Sequence, residues 1–129
     1  DFNKVARFTE KDVERLLQDA GIIRHRGKIE ATVNNAKRAK EMVKVEGSLA
    51  AYFWSYESNS ETRDISVVVS ISPESVAISK DLKKRGWKFV GPTTVYAFMQ
   101  AMGLVNDHAE GCVTRAKAIR MRKAFKKPT

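Results

Sequence analysis

Signals that begin and end helices recur along this chain at spacings that suit short helices. Ser72-Pro73-Glu74 combines an N-cap serine, a proline suited to the first helical position and an acid in the first turn. The helix that these residues begin is predicted to run to about Arg85 and to stop at Gly86. Gly91-Pro92-Thr93 begins another helix, which Gly103 ends. Its apolar face is predicted to comprise Val95, Phe98, Met99 and Met102.

The N-terminal half carries the same pattern. Thr9 is predicted to cap a helix that ends near Gly21, with apolar residues at helical spacing between them. A second helix is predicted from residue 28 to about residue 44, where Gly47-Ser48 follows and breaks it. A short aromatic helix is predicted over residues 49–56. The chain is therefore predicted to form about five helices joined by short turns.

Residues 57–72 do not fit this helical pattern. Residues 57–64 are polar, and residues 65–71 are rich in β-branched side chains, which is typical of a strand. No second convincing strand is available to pair with them, and an isolated strand is not stable. We favour an extended connector that lies on a helical body, with a strand as the alternative. The predicted fold class is all-α.

The charge of the chain is concentrated at its C-terminus. The 129 residues carry a net charge of +9. Residues 113–129 supply +7 of it, with no acid, so residues 1–112 carry only +2. We predict one helical domain over residues 1–112 and a disordered, basic tail over residues 113–129. An argument for nucleic-acid binding has to come from elsewhere in the chain.

The composition of the chain indicates the cellular compartment in which the protein works. No apolar run approaches the ~18 residues of a membrane helix, and the first residues do not resemble a signal peptide. Cys112 is the only cysteine, so an intrachain disulfide is excluded. We predict a cytoplasmic protein that does not associate with membranes.

The connection between the first two predicted helices is a candidate DNA contact. An apolar pair, Ile22-Ile23, is expected to anchor the turn in the core, and the glycines beside it allow a close approach to a ligand. Backbone N–H groups at the start of the second helix can hold a phosphate, and basic side chains add charge. The candidate residues are Gly21, Arg24, His25, Arg26, Gly27 and Lys28. The alternative is an ordinary helical hairpin with solvated basic residues, because a glycine-x-glycine core is absent.

The turn at Gly91-Pro92-Thr93-Thr94 offers backbone donors and hydroxyl groups, with Lys88 nearby. It could hold a phosphate or line a pocket, or it could simply cap the helix that follows. No side chains in the sequence form a convincing nucleophile and base. Catalytic residues are therefore not identified.

His108 and Cys112 are a possible half of a metal site. Four residues apart, an imidazole and a thiolate would share one face of a helical turn. A closed zinc site needs about four ligands, and His25 is the only other histidine. The spacing alone is a weak signal that coincidence or packing also explains, and Gly111 makes a regular helix through the pair less certain.

Taken together, several stretches of the chain resemble the DNA-3-methyladenine glycosylase I family. They are DVERLLQDAGIIRHRGKI (12–29), FWSY (53–56), SKDLKKRG (79–86), KFVG (88–91) and GLVNDH (103–108). These stretches cover most of residues 9–112 in the order of the family. Residues 113–129 lie outside the resemblance.

The resemblance implies a fold and an activity. The expected fold is the α-helical bundle of the helix-hairpin-helix glycosylases. The expected activity is removal of N3-methylated adenine from alkylated double-stranded DNA by hydrolysis of the N-glycosidic bond, without strand cleavage. This is base excision repair, in a bacterial-type monomer associated with the nucleoid. Thr93 and Tyr96 are expected to face the base pocket. The alternative is a non-catalytic DNA-binding module.

The resemblance also implies a structural zinc ion, with His108 and Cys112 as two of its four ligands. The other two ligands, the base-reading glutamate and most of the pocket belong to an N-terminal segment of the family that residues 1–129 do not include. We therefore expect residues 1–129 to correspond to the C-terminal two-thirds of such an enzyme and to be inactive alone. The catalytic residues are expected in that N-terminal segment.

Overall fold

The computed structural model describes residues 1–58 and 69–129, and every regular element in these two ranges is an α-helix. The elements are α1 (Phe2–Val5), α2 (Glu10–Leu17), α3 (Arg26–Glu46), α4 (Leu49–Trp54), α5 (Pro73–Lys84), α6 (Pro92–Met102) and α7 (Val113–Ala124). The predicted all-α class is confirmed, with α1 and α7 in addition to the five predicted helices. None of these helices is long and apolar enough to cross a membrane, as judged over the described ranges.

The chain divides into two compact units. One comprises Asp1–Leu49 with Asp81–Val90, and the other comprises Ala50–Lys80 with Gly91–Thr129. The predicted connector at residues 57–72, with its alternative strand, falls mostly on residues 59–68, which lie outside the described residues. Its described ends, residues 57–58 and 69–72, belong to no helix or strand.

In the first unit, α1 and α2 pack on α3. The buried residues of α3 recur at helical spacing and form the apolar face of the unit: Ile29, Ala31, Val33, Ala36, Ala39 and Met42. Helix α2 begins as predicted at Thr9, whose backbone N–H donates to Asp12 Oδ2 at 2.8 Å. This bond is the main reason that the pKa of Asp12 lies below its ordinary value. Helix α2 ends earlier than predicted, with Gln18 as its C-cap.

The loop after α5 is clamped onto α3 in the same unit. Gly86 adopts a left-handed conformation (φ +88°), which explains why α5 stops where the sequence predicts. The Asn34 side chain donates to the Gly86 carbonyl at 2.8 Å. Asn35 donates to the Lys88 carbonyl at 2.8 Å and accepts from the Lys88 N–H at 2.9 Å. Phe89, which follows Lys88 directly, has a φ of +56°, an uncommon conformation for a residue other than glycine.

In the second unit, α5 and α6 begin at the predicted caps. Ser72 and Ser75 are buried and exchange hydrogen bonds at 2.8 and 3.1 Å across the start of α5. Helix α6 begins after Gly91 and ends at Gly103, which is left-handed (φ +78°).

The predicted apolar face of α6 is partly wrong. Val95 and Met99 are buried, but Phe98 and Met102 are exposed and Tyr96 is buried instead. Periodicity alone does not distinguish these faces, because most of the helix is apolar. Phe98 packs at the surface against Phe53 of α4, with ring centroids 4.8 Å apart.

The prediction of a disordered tail at residues 113–129 is wrong for most of that segment, because residues 113–124 form α7. Both Arg122 Nε and Arg122 Nη2 donate to the Glu57 carboxylate, the latter at 2.7 Å. The Arg122 guanidinium also lies 5.3 Å from the centroid of the Trp54 ring, and the Phe125 ring packs 4.9 Å from that ring. These partners lie about 65 residues away in sequence, so the local pattern could not reveal them.

Candidate nucleic-acid interface

The hairpin between α2 and α3 comprises the loop of residues 18–25, which lies at the surface of the first unit, and the first turn of α3. The Asp19 carboxylate accepts the Gly21 N–H at 2.8 Å and so fixes the turn. Ile22 and Ile23 were predicted to anchor this turn in the core, and that prediction is wrong, because they are 41% and 77% exposed. Helix α2 ends at Leu17, so the chain leaves the packed face of α3 before it reaches the isoleucines.

His25 is the N-cap of α3. Its Nδ1 accepts the backbone N–H of Lys28 at 3.1 Å. A neutral imidazole that accepts at Nδ1 carries its proton on Nε2, so the ring retains one donor for an external acceptor. The ring also packs edge-on against Phe89, with centroids 6.4 Å apart. His25 therefore belongs to the predicted interface but has a structural function as well.

Space for a side chain at Gly27 is tight. A Cβ atom on this residue would lie 3.0 Å from His25 Cε1, so any side chain would press on the capping imidazole. The N–H groups of Arg26 and Gly27 in the first turn of α3 make no hydrogen bond to any described residue. They are the backbone donors that the sequence predicts for a phosphate.

Arg26 is engaged within the protein. Its guanidinium pairs with Glu14, with Glu10 at 2.8 Å and with Glu30 at 3.6 Å. The hydrogen bonds that Arg26 donates to Glu14 and Glu10 raise the pKa of Arg26 above its ordinary value. Arg26 thus ties α2 to α3, which sequence reasoning did not identify, and its contact with DNA stays a prediction.

Arg24 and Lys28 are exposed, and no acid within residues 1–58 or 69–129 pairs with either side chain. They are the two basic side chains of the hairpin that can meet an anion without first breaking an ion pair. Of the six predicted residues, Gly21 shapes the turn and Arg26 braces it. The other four predicted residues are positioned to contact an anion, namely Arg24, His25, Gly27 and Lys28.

Thr93 and Tyr96 lie in the first turns of α6 with different environments. Thr93 is exposed, whereas Tyr96 is 1% exposed. The Tyr96 hydroxyl donates to Asp107 Oδ2 at 2.7 Å, and Gln100 Nε2 donates to the same oxygen at 2.8 Å. Asp107 therefore ties α6 to the segment that carries His108, a contact that sequence reasoning did not identify.

His108 and Cys112 do not share a face of a helix, so the geometry inferred from their spacing is wrong. The chain turns between them, with Gly111 left-handed (φ +81°) and the Cys112 N–H bonded to the Ala109 carbonyl at 3.1 Å. Cys112 is the N-cap of α7. Backbone N–H groups of Thr114 and Arg115 lower the pKa of its thiol. Arg115 Nη1 also donates to the His108 carbonyl at 2.8 Å.

The described residues hold no cluster of three or more His, Cys, Asp or Glu side chains that could bind a metal. The donor set at His108 and Cys112 nevertheless fits zinc chemically. Imidazole and thiolate are its usual ligands, and the N-terminus of α7 favours the thiolate.

The chain is similar to a group of characterised proteins. A family model described as methyladenine glycosylase matches residues 1–116. DNA-3-methyladenine glycosylase 1 of Escherichia coli is 49% identical over 113 residues, which cover 84% of this chain and 60% of that protein. The DNA-3-methyladenine glycosylase of Haemophilus influenzae is 42% identical over 116 residues, which cover 87% of this chain and 63% of that protein.

A solved structure of a variant of 3-methyladenine DNA glycosylase I in complex with 3-methyladenine has a TM-score of 0.80 and 34% identity. The match covers 89% of this chain and 64% of that one. The predicted fold class is confirmed by this similarity. The chain spans about three-fifths of the length of the curated relatives that it matches.

Proposed function

The chain belongs to the methyladenine glycosylase family, and from this premise we propose that the whole protein is a monofunctional DNA-3-methyladenine glycosylase. The proposed reaction is hydrolysis of the N-glycosidic bond of N3-methylated adenine in alkylated DNA, the first step of base excision repair. The family match over residues 1–116, with 49% identity to the Escherichia coli enzyme, carries this proposal.

The proposed mechanism requires little acid–base chemistry. Methylation at N3 makes the base cationic, so the bond to the sugar is already weak and the base is a good leaving group. The enzyme extrudes the nucleotide from the duplex, orients it and admits water to the sugar carbon. We propose that Tyr96, held by Asp107, forms part of the wall of the base pocket and that Thr93 lies at its edge.

We propose that the α2–α3 hairpin holds the duplex through its phosphates. The free N–H groups of Arg26 and Gly27 point out of the first turn of α3, where the helix dipole favours an anion. Arg24 and Lys28 add charge, and His25 Nε2 adds one donor. These contacts position the enzyme without reading sequence.

His108 and Cys112 are proposed as two of four ligands of a structural zinc ion. A bound zinc ion would cross-link the segment before α7 to other parts of the protein, and it takes no part in the reaction. The lowered pKa of the Cys112 thiol supports this assignment. Elemental analysis of the purified whole protein should give about one zinc per chain, and Cys112→Ser should remove it. Tight, stoichiometric zinc in monomeric residues 1–129 would contradict the requirement for further ligands.

The glycosylase proposal is tested by base release. The whole protein is incubated with methylated duplex DNA, and free 3-methyladenine is measured by chromatography, with the Escherichia coli enzyme as the positive control. We expect release of the base without strand breaks. If the positive control releases base and this protein does not, the proposed activity is wrong.

A second candidate is DNA binding without base release, and it applies to residues 1–129 alone. The observation in its favour is that this chain matches only about three-fifths of the length of its curated relatives. Residues 1–129 should then bind duplex DNA without releasing base, whereas the whole protein should bind the duplex and release 3-methyladenine. Release of 3-methyladenine by residues 1–129 would exclude this candidate.

The proposed activity also implies an oligomeric state and a cellular location. We propose a monomer in the cytoplasm, in contact with double-stranded nucleoid DNA. Sedimentation of the whole protein at micromolar concentration is expected to give a single species of monomer mass.

A further inference from the structure

Helix α7 carries a strong positive charge that the proposed function does not use. Residues 113–129 hold seven Lys and Arg residues and no Asp or Glu. The family match ends at residue 116, within the first turn of this helix. The charge of α7 is therefore a property of this chain that the family match does not cover.

One face of α7 is anchored to the rest of its unit. Arg122 makes two hydrogen bonds to Glu57 and lies over the Trp54 ring at 5.3 Å. Arg115 and Ala118 are half-buried like Arg122, at the i, i+3 and i+7 spacing of one helical face. Because these contacts fix the rotation of the helix, its remaining side chains project in defined directions.

The opposite face carries a row of exposed cations, Lys117, Arg120 and Lys123. Their spacing of three residues places them about 4.5 Å apart along the helix axis. Among the described residues, no acid forms an ion pair with any of the three. The row thus combines concentrated charge with a rigid support, which loses less conformational entropy on binding than a disordered tail would.

We propose that Lys117, Arg120 and Lys123 form a second DNA-contact surface that binds phosphates of duplex DNA without regard to sequence. Duplex DNA presents a negative charge about every 1.7 Å along its axis, so three cations in a row find several phosphates within reach of their flexible side chains. The choice of DNA as the polyanion rests on the proposed function. This surface increases the affinity for undamaged and damaged duplex alike, and it leaves recognition of the base to other residues.

The test compares two variants of the whole protein with the same loss of charge. The first is K117Q/R120Q/K123Q. The control is K4Q/K11Q/K44Q, which removes three exposed lysines from α1, α2 and α3. Affinity for a short undamaged duplex is measured by fluorescence anisotropy over a series of KCl concentrations. We expect the α7 variant to lower the slope of log K against log salt by about two to three, and the control to change it by less than about one.

The following results would overturn the proposal. An unchanged slope in the α7 variant, or an equal decrease in the control, would show that the row makes no specific contact. A loss of binding to RNA or to anionic vesicles, with duplex binding intact, would assign α7 to another polyanion. Circular dichroism verifies that both variants fold, and if the triple variant does not, K117Q/K123Q should lower the slope by about two.

The same samples distinguish this proposal from the proposed function. Release of 3-methyladenine from methylated DNA is measured for the unmodified protein and for both variants. Base release combined with an unchanged slope would overturn the α7 proposal alone. A lowered slope without base release from the unmodified protein would overturn the glycosylase proposal alone.

Discussion

The α2–α3 hairpin and α7 are both basic, but different forces hold them in place. The hairpin leads into α3, which buries six residues in the core of its unit, whereas α7 buries none. In each region one arginine is committed to acids of the protein: Arg26 to three glutamates and Arg122 to Glu57. The exposed neighbours of these arginines are the groups that remain for an external anion. The number of basic residues in a segment therefore does not give the number of phosphate contacts.

The largest difference between the two regions should appear in their response to lost apolar contacts. Ile29 is 8% exposed, so Ile29→Ala should lower the free energy of unfolding by about 2–4 kcal/mol. Ile119 is 40% exposed, and Ile119→Ala should cost less than about 1 kcal/mol. Urea unfolding monitored by circular dichroism measures both values. Equal costs would mean that α7 is packed as deeply as α3, contrary to its exposure.

The anchor of α7 should weaken as the pH falls. The hydrogen bond from Arg122 is the main reason that the pKa of Glu57 lies below its ordinary value of 4.5. A carboxyl whose pKa is lowered by folding contributes stability above its unfolded pKa and loses it as the pH falls through the folded pKa. Acidification from pH 6 to below about pH 4 should release α7, which is detected as faster limited proteolysis by an acid-stable protease.

Glu57→Gln is the matched control for this effect. It should weaken the anchor by about 1 kcal/mol at neutral pH and remove the contribution of Glu57 to the pH dependence. Arg122→Gln should loosen α7 to a similar extent. If acid loosens α7 equally in the Glu57→Gln protein, another group governs the transition.

The basic side chains of the hairpin should separate into two groups in binding experiments. R24Q/K28Q should decrease the slope of log K against log salt for duplex DNA by nearly two, with little change in the unfolding midpoint. Arg26→Gln should decrease this slope by less than one and should lower the unfolding midpoint, because Glu10, Glu14 and Glu30 then repel one another without a shared partner. A slope change at Arg26 as large as that of the double variant would show that Arg26 contacts phosphates despite its ion pairs.

The sequence could predict the features of this fold that depend on adjacent residues. The caps at Thr9 and Ser72 and the stops at Gly86 and Gly103 lie where the structure has them, because capping and left-handed glycines act over about four residues. The turn at Gly111 also acts locally, and it displaces Cys112 from the helical face that a spacing of four suggests.

The features that the sequence could not predict depend on distant residues. Arg26 looks like a free cation until α2 packs on α3 and brings Glu10 and Glu14 to it, 16 and 12 positions away. Residues 113–129 look like a disordered tail until Glu57 is found beside Arg122. Pairing at this distance leaves no periodic signal in the sequence, so the functional assignment of a basic residue requires the structure.

The smallest predicted effect concerns Gly27. It tests whether the hairpin binds DNA through its local geometry, whereas α7 is proposed to bind through charge. Gly27→Ala should gain about 0.5–1 kcal/mol of helix propensity. The new Cβ would lie 3.0 Å from His25 Cε1, and displacement of the imidazole should cost about 1 kcal/mol through the lost cap. The free energy of unfolding should therefore change by less than about 0.5 kcal/mol, while duplex affinity falls a few-fold because His25 Nε2 moves. Lys117→Arg on α7 keeps its charge and should leave duplex affinity unchanged. If Gly27→Ala binds duplex DNA as the unmodified protein does, the position of the His25 ring does not matter for binding, and the hairpin acts, like α7, through charge alone.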